Sequence, residues 1–454
     1  MLNKKEIIEV FSISLPVIAE MLLYMIILLL DTAMVSIYGG HIAVSTVGLS
    51  SEIIYSISGI IIDVGIAVAV TSFIARMLGE KNIKAAEEYA AIGFYLGFLV
   101  SIIVCFMLFK FNSEILNFAG ASSDVIALGN IYIRVISVGL FFKMLSGILS
   151  GILRGYGNTI IPLYTALIVL MINLFFDWLF IFGKLGFKEL GIRGSGIAYN
   201  YAQIFGFLFL LTYIIQKSKI KIRLKYMLFI SIHKLKEFLA LCIPTSLEDA
   251  SFNISRLLSL FIIMHNGTIA FASNQLATTV ENISFMLGYG FSVAATTLVG
   301  IKVGERNYKT AKKYAYLCAS FGAISMIICS ICFLVIPEVL ISFFVDKTEV
   351  EVVIYATQCL RTAAVEQPFI GLSLVFAAAM KGSGDTKSPF YISFITSWFI
   401  RLPLMFYFIY IIKLPVVYVW WITNLQWCID GILMFIMFEN RFKNINLHFT
   451  RFVD

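Results

Sequence analysis

Apolar residues run through this chain in blocks of about twenty or more, separated by short polar stretches. Twelve blocks fall at roughly 12–37, 53–77, 89–110, 126–152, 160–183, 191–215, 238–264, 277–301, 314–336, 351–380, 389–412 and 415–438. At ~1.5 Å per residue each can cross ~30 Å of hydrocarbon. A backbone in lipid has no water to satisfy it, so these blocks are predicted to be helices. The longest polar interruption, 216–237 (QKSKIKIRLKYMLFISIHKLKE), falls at mid-chain. Its lysines and arginines alternate with apolar residues, which suits either a plain connector or a segment lying on the membrane surface.

Composition excludes a soluble or disordered chain: 60% of residues are hydrophobic, 13% are charged, and the mean hydropathy is +0.93. The net charge of +7 does not point to nucleic acid, because the basic residues are spread over short inter-block loops. Most sit on one side, in the segments holding Lys4 and Lys5, Arg76 to Lys84, Arg154, Lys217 to Lys236, Lys302 to Lys313, Lys381 and Lys387, and Arg441 to Arg451. The opposite loops hold only Lys110, Lys184, Lys188, Arg193, Lys347 and Lys413. That asymmetry predicts a polytopic membrane protein with both termini cytoplasmic. The first block is too long for a signal-peptide core. Cys329-x-x-Cys332 and the other five cysteines lie in or beside apolar blocks, which suits packing better than disulfides or zinc.

The two halves repeat. Arg154-Gly155-Tyr156-Gly157-Asn158-Thr159-x-x-Pro162 returns as Lys381-Gly382-Ser383-Gly384-Asp385-Thr386-x-x-Pro389. Gly79-Glu80-x-Asn82-x-Lys84 returns as Gly304-Glu305-x-Asn307-x-Lys309. Pro16 with Glu20 returns as Pro244 with Glu248. The three matches share nearly one offset, close to half the length of the chain. Six spans per half is an even number, so the halves enter the membrane the same way round. The expected fold is an all-α polytopic membrane protein of 12 transmembrane helices. Two six-helix lobes, 1–215 and 238–438, are related by a parallel pseudo-twofold repeat, with a basic cytoplasmic linker at 216–237 and a cytoplasmic tail at 439–454.

An ionisable residue at membrane depth usually faces a bundle interior and marks an ion or substrate path. Asn173 and Asp177, spaced i, i+4, share one helix face. Asp31 in the first block and Asp177 in the fifth each lie six residues before the end of a block running the same way, ~9 Å below the boundary. Two such carboxylates meeting in low dielectric cannot both ionise comfortably; one takes a proton or both share a cation. Other acids within blocks are Asp63, Glu20, Glu248, Asp249, Glu281, Glu366 and Asp430. Arg256, Arg361 and Arg401 are their available partners in the second half. Gly147, Gly151 and Gly155 form a small-residue ladder suited to close helix contact. His41 and His265, at outer loop edges, make no metal site by themselves. No Walker loop, dinucleotide fingerprint or nucleophile–base constellation is present, so no enzyme activity and no cofactor are expected.

Asp31-Thr32-Ala33-Met34-Val35, Gly151-Ile152-Leu153-Arg154-Gly155, Gly191-Ile192-Arg193-Gly194, the run from Glu281 to Gly300 and Lys381-Gly-Ser-Gly-Asp-Thr386 together resemble the multidrug and toxic compound extrusion (MATE) family over nearly the whole chain. The resemblance implies two six-helix lobes around a V-shaped cavity, and export of bulky, often cationic drugs or metabolites in exchange for inward Na⁺ or H⁺. It implies small amphipathic substrates and the lipid bilayer as partners, and a monomer. In one branch of the family a cation site combines an aspartate of span 1, an Asn-x-x-x-Asp pair of span 5 and a threonine of span 6. Asp31, Asn173 and Asp177 match the first three, giving the expected Na⁺ or H⁺ ligands. The threonine position holds Tyr199, followed by Asn200, either of which could supply an oxygen. Some members also carry a coupling glutamate in span 7 and an aspartate in span 10. Here Asp249, Glu281 and Glu366 become candidates for cargo recognition or proton handling. The alternatives left open are a flippase for a lipid-linked glycan and a membrane protein with a non-transport role.

Overall fold

The computed structural model describes residues 4–345 and 349–450. Lys347 and Arg451, counted in the charge asymmetry, lie outside them, as does the side chain of His41. Twelve long helices run through the described residues. They are α1 (Lys4–Gly40), α2 (Ile42–Gly79), α3 (Ile83–Lys110), α4 (Ser123–Gly155), α5 (Ile160–Ile181) and α6 (Ile192–Gln216) in the first half. The second half has α7 (Ile232–Met264), α8 (Thr268–Gly304), α9 (Tyr308–Val335), α10 (Val350–Ala363 with Gln367–Gly382), α11 (Lys387–Ile411) and α12 (Val417–Lys443). Ten are long and apolar enough to cross a membrane, and the two arms of α10, bent by 53°, make an eleventh. α7 completes the set at 33 residues, its apolar run broken by Glu248, Asp249 and Arg256. These helices correspond one for one to the twelve apolar blocks.

The repeat is written in the backbone as well as in the letters. Lys81 and Arg306 both adopt φ +58°, which lets α2 and α8 turn into the next helix. The following Asn82 and Asn307 have nearly the same dihedrals, φ −97° and −96°, and each caps the next helix. Their side chains accept from the Ala85 and Thr310 N–H groups at 3.1 and 3.2 Å. Gly157 and Gly384 match at φ +84° and +90°, followed by Asn158 and Asp385, which accept from the Ile161 and Ser388 N–H groups. Gly40 and Gly267 break the chain between the first and second helices of each half, both at positive φ. Gly79 and Gly304 meet each other: a Cβ on Gly79 would lie 2.0 Å from the Ile301 carbonyl, and one on Gly304 2.0 Å from the Arg76 carbonyl.

The residues sort into two compact units. One comprises Ala19–Ile74 and Asn82–Cys242; the other comprises Met1–Ile18, Ala75–Lys81 and Ile243–Asp454. In the first, α4 packs on α3 and α6, and α6 on α5. The glycine ladder sits against α2, since a Cβ on Gly151 would meet the Ala67 carbonyl at 2.8 Å and one on Gly155 would meet Ile74. In the second, α8 packs on α9 and α10, and α10 on α12. The start of α1 joins that core, with Val10 and Ile13 buried among Phe291, Ala315 and Phe376. Pro16 and Pro244 lie inside α1 and α7, close to the points where these helices pass from one unit's residues to the other's.

Candidate functional site

The first acidic constellation is assembled by two glycines at the start of α6. Gly191 has φ +57°, and a Cβ there would lie 2.1 Å from the Tyr38 ring of α1. A Cβ on Gly194 would lie 2.6 Å from the Phe180 carbonyl of α5. Only glycine lets the α6 terminus come this close to both helices. The next residue, Ser195, is thereby buried, and its hydroxyl donates to Asp31 Oδ1 at 2.7 Å.

On α5 the i, i+4 spacing acts as expected from helix geometry. Asn173 Nδ2 donates to Asp177 Oδ2 at 2.7 Å, and the two residues are 4% and 0% exposed. Asp177 Oδ1 has no protein hydrogen-bond partner among the described residues. The charges of Asp31 and Asp177 act on one another, so the two acids do approach. Tyr132 of α4 is buried within reach of both charges, with the hydroxyls of Ser195 and of Ser51 of α2 close to its own. Hydroxyls and carboxyls from α1, α2, α4, α5 and α6 thus converge.

Tyr199 lies one turn beyond Ser195 and packs on Gly139, where a Cβ would meet its ring at 2.8 Å. Asn200 is committed elsewhere. Its Oδ1 accepts from the Gly139 N–H at 2.7 Å and its Nδ2 donates to the Val135 carbonyl at 2.8 Å, tying α6 to one backbone step of α4. Sequence reasoning missed Ser195 and Tyr132. The available signal was a serine inside the Gly-Ile-Arg-Gly-Ser motif and a tyrosine hydroxyl in an apolar block, which needs a partner when buried.

The second constellation lies on α8, α10, α11 and α12. α10 breaks just before Gln367-Pro368, and Glu366 sits at the break. Glu281 and Glu366 lie close enough for each charge to act on the other. Gln367 Nε2 donates to Glu281 Oε1 at 3.1 Å, and its Oε1 accepts from Ser284 at 2.6 Å. The Thr423 hydroxyl donates to the Trp420 carbonyl at 3.0 Å, beside Glu366, and the charge of Arg401 acts on both acids. Arg401 is buried in a π-helical turn of α11, with Gln426 as a distant partner at 3.5 Å. The Asp249 carboxylate accepts from Asn253 Nδ2 at 3.1 Å, one turn along the same helix. Arg361 pairs outside this group, with Glu338 at 3.5 Å.

Two further acids are matched by cations at repeat positions. Arg154 holds Glu20 at 2.7 Å, and Lys381 holds Glu248 at 2.9 Å. Asp430 accepts from Ser373 and Thr396, and Asp63 lies 3.8 Å from Lys143. Among the described residues no group of three or more His, Cys, Asp or Glu side chains could hold a metal ion. A bound cation would therefore draw on carboxylate, amide and hydroxyl oxygens together.

This architecture defines a polytopic membrane transporter, and the comparisons place it in a family. The MatE family profile matches twice, over residues 16–179 and 244–407, one match in each half of the repeat. The chain belongs to the multidrug and toxic compound extrusion family. It is 28% identical over 414 residues to a probable multidrug resistance protein NorM of Thermotoga maritima, covering 91% of this chain and 88% of that one. It is 26% identical to the multidrug resistance protein MdtK of Yersinia enterocolitica, covering 88% of each. An uncharacterized transporter of Bacillus subtilis, YisQ, is 23% identical over 95% of this chain and 94% of its own length. Among solved structures, an outward-facing multidrug resistance MATE transporter of the MOP superfamily superposes with a TM-score of 0.89 at 20% identity, covering 97% of this chain and 96% of that one. A MOP superfamily transporter from Pyrococcus furiosus, described as having a binding pocket of reverse polarity, gives the same TM-score at 19% identity over 97% of both chains. At these identities the structural likeness bears on fold alone.

Proposed function

We propose that this chain is a secondary antiporter that expels amphipathic, cationic small molecules in exchange for an inward-moving proton or sodium ion. The observation that carries the reading is Asp177. It is a wholly buried carboxylate whose Oδ1 lacks a protein partner among the described residues and whose neighbour is a second acid, Asp31. Such a pair is costly when empty and is relieved by one cation, so loading and release favour different helix arrangements. Asp31, Asn173 and Asp177 are the ligands in this reading, with Ser195, Tyr132 and Tyr199 as supporting oxygens. The donor pattern suits a proton directly. Asn173 and Ser195 present N–H and O–H groups to the carboxylates, so a sodium ion between them would require the Asn173 amide to turn its oxygen inward.

Glu281 and Glu366 form a second acid pair, which can hold one proton between them beside Arg401 and serves cargo charge recognition or proton handling. The lobes 1–215 and 238–438, with the linker 216–237, lie in the cytoplasmic membrane of a prokaryote, termini inside, as a monomer. The relatives named for multidrug resistance support the cargo class. The test is release of a fluorescent lipophilic cation from proteoliposomes under a pH gradient alone and a sodium gradient alone. Gradient-driven dye movement in either arm supports antiport and names the ion; none in both refutes it.

A further inference from the structure

At the polar ends of the helices the second half repeats the contacts of the first but exchanges their signs. In one unit, Glu88 of α3 pairs with Lys234 at the start of α7, beside Glu87, which Arg223 holds at 2.6 Å. In the other, Lys313 of α9 pairs with Glu6 at the start of α1 at 2.6 Å, beside Lys312, which pairs with Glu439 of α12 at 2.6 Å. Aligning Asn82 with Asn307 sets Lys313 at the position of Glu88, and aligning Pro16 with Pro244 sets Lys234 at the position of Glu6. The adjacent contacts keep their polarity: the Tyr89 hydroxyl donates to Glu237, and the Tyr314 hydroxyl donates to Glu9. Register is therefore the same in the two places, and only the charge is inverted.

The inversion matters because each leading segment has two near-equivalent places to dock. The start of α1 belongs to the unit built from second-half helices, and the start of α7 to the unit built from first-half helices. Both present the same kind of anchor. Phe11 packs on Phe291 and Phe321, and Phe238, at nearly the matching place in α7, packs on Phe73 and Gly93. The tyrosine–glutamate bond does not distinguish α3 from α9. The charges do. As folded, both ion pairs attract; with the segments exchanged, Glu6 would face Glu88 and Lys234 would face Lys313.

We propose that the sign-exchanged pairs Glu88–Lys234 and Lys313–Glu6 select which helix set each leading segment joins, so that the parallel repeat assembles with its segments crossed rather than folded back on their own halves. Half-exposed ion pairs add little to stability, but a choice between two otherwise equal sites needs only a modest difference.

The test uses the full chain with its seven cysteines replaced. A Glu9→Cys, Tyr314→Cys pair reports the observed docking by disulfide cross-linking, and a Glu9→Cys, Tyr89→Cys pair reports the exchanged one. Glu88→Lys with Lys234→Glu keeps an attractive pair but leaves lysine on both receiving helices and glutamate on both leading segments. The ratio of exchanged to observed cross-link should rise about tenfold, or the protein should fail to reach the membrane. Adding Glu6→Lys and Lys313→Glu restores the difference with every sign reversed, and should return both ratio and yield to those of the parent. A doubly substituted chain that cross-links like the parent, or a fourfold one as impaired as the double, overturns the proposal.

Discussion

Asp177→Asn separates the cost of a buried charge from its use. The side chain keeps its shape and still accepts from Asn173 Nδ2, now 2.7 Å from Oδ2. What is lost is the charge at a wholly buried position. A charge-assisted hydrogen bond contributes roughly 1.5–3 kcal/mol and a neutral one roughly 0.5–1.5, so the bond weakens by about 1–2 kcal/mol. Against this, burying an ion costs several kcal/mol even after relaxation, and the repulsion with Asp31 disappears as well. Because one acid of the pair takes up a proton rather than carry that cost in full, the variant should be as stable as the parent to within about 1–2 kcal/mol. Cation-coupled efflux should meanwhile fall at least about tenfold, because the variant no longer distinguishes loaded from unloaded arrangements. Thermal unfolding of detergent-solubilised protein followed by tryptophan fluorescence, set beside dye efflux from proteoliposomes, reads both quantities on one preparation. Retained gradient-driven efflux, or a clear drop in melting temperature, would refute the reasoning.

Arg154→Met removes the partner 2.7 Å from Glu20, whose side chain is 3% exposed. It should destabilise by about 3–5 kcal/mol, and adding Glu20→Gln should recover most of that in the same unfolding assay. Gly304→Val puts a branched side chain where a Cβ already lies 2.0 Å from the Arg76 carbonyl, so folded yield should collapse. The control Gly48→Ala, with nothing within 4 Å of its Cβ, should express normally. Asn82→Ala and Asn307→Ala each lose a helix cap and should cost about 0.5–2 kcal/mol apiece, additively, as measured by shifts in unfolding midpoint.

Much of this molecule could be read before any coordinates. Lipid forces long apolar runs into helices, so the number of helices and the parallel repeat followed from composition and spacing, and the family motifs from resemblance. The Asn173–Asp177 bond was legible for the same reason, since a helix fixes which residues share a face. Even the capping asparagines and turn glycines declared themselves, because a local backbone conformation is set by local chemistry. Contacts between helices distant in sequence were another matter. Ser195 reaching Asp31 depends on how closely Gly191 and Gly194 let α6 approach α1 and α5. Asn200 spending both ends of its amide on α4, and Glu366 meeting Glu281 at the break of α10, are likewise outcomes of packing. Periodicity says which face a side chain occupies; only the rotation and depth of neighbouring helices decide what it meets there.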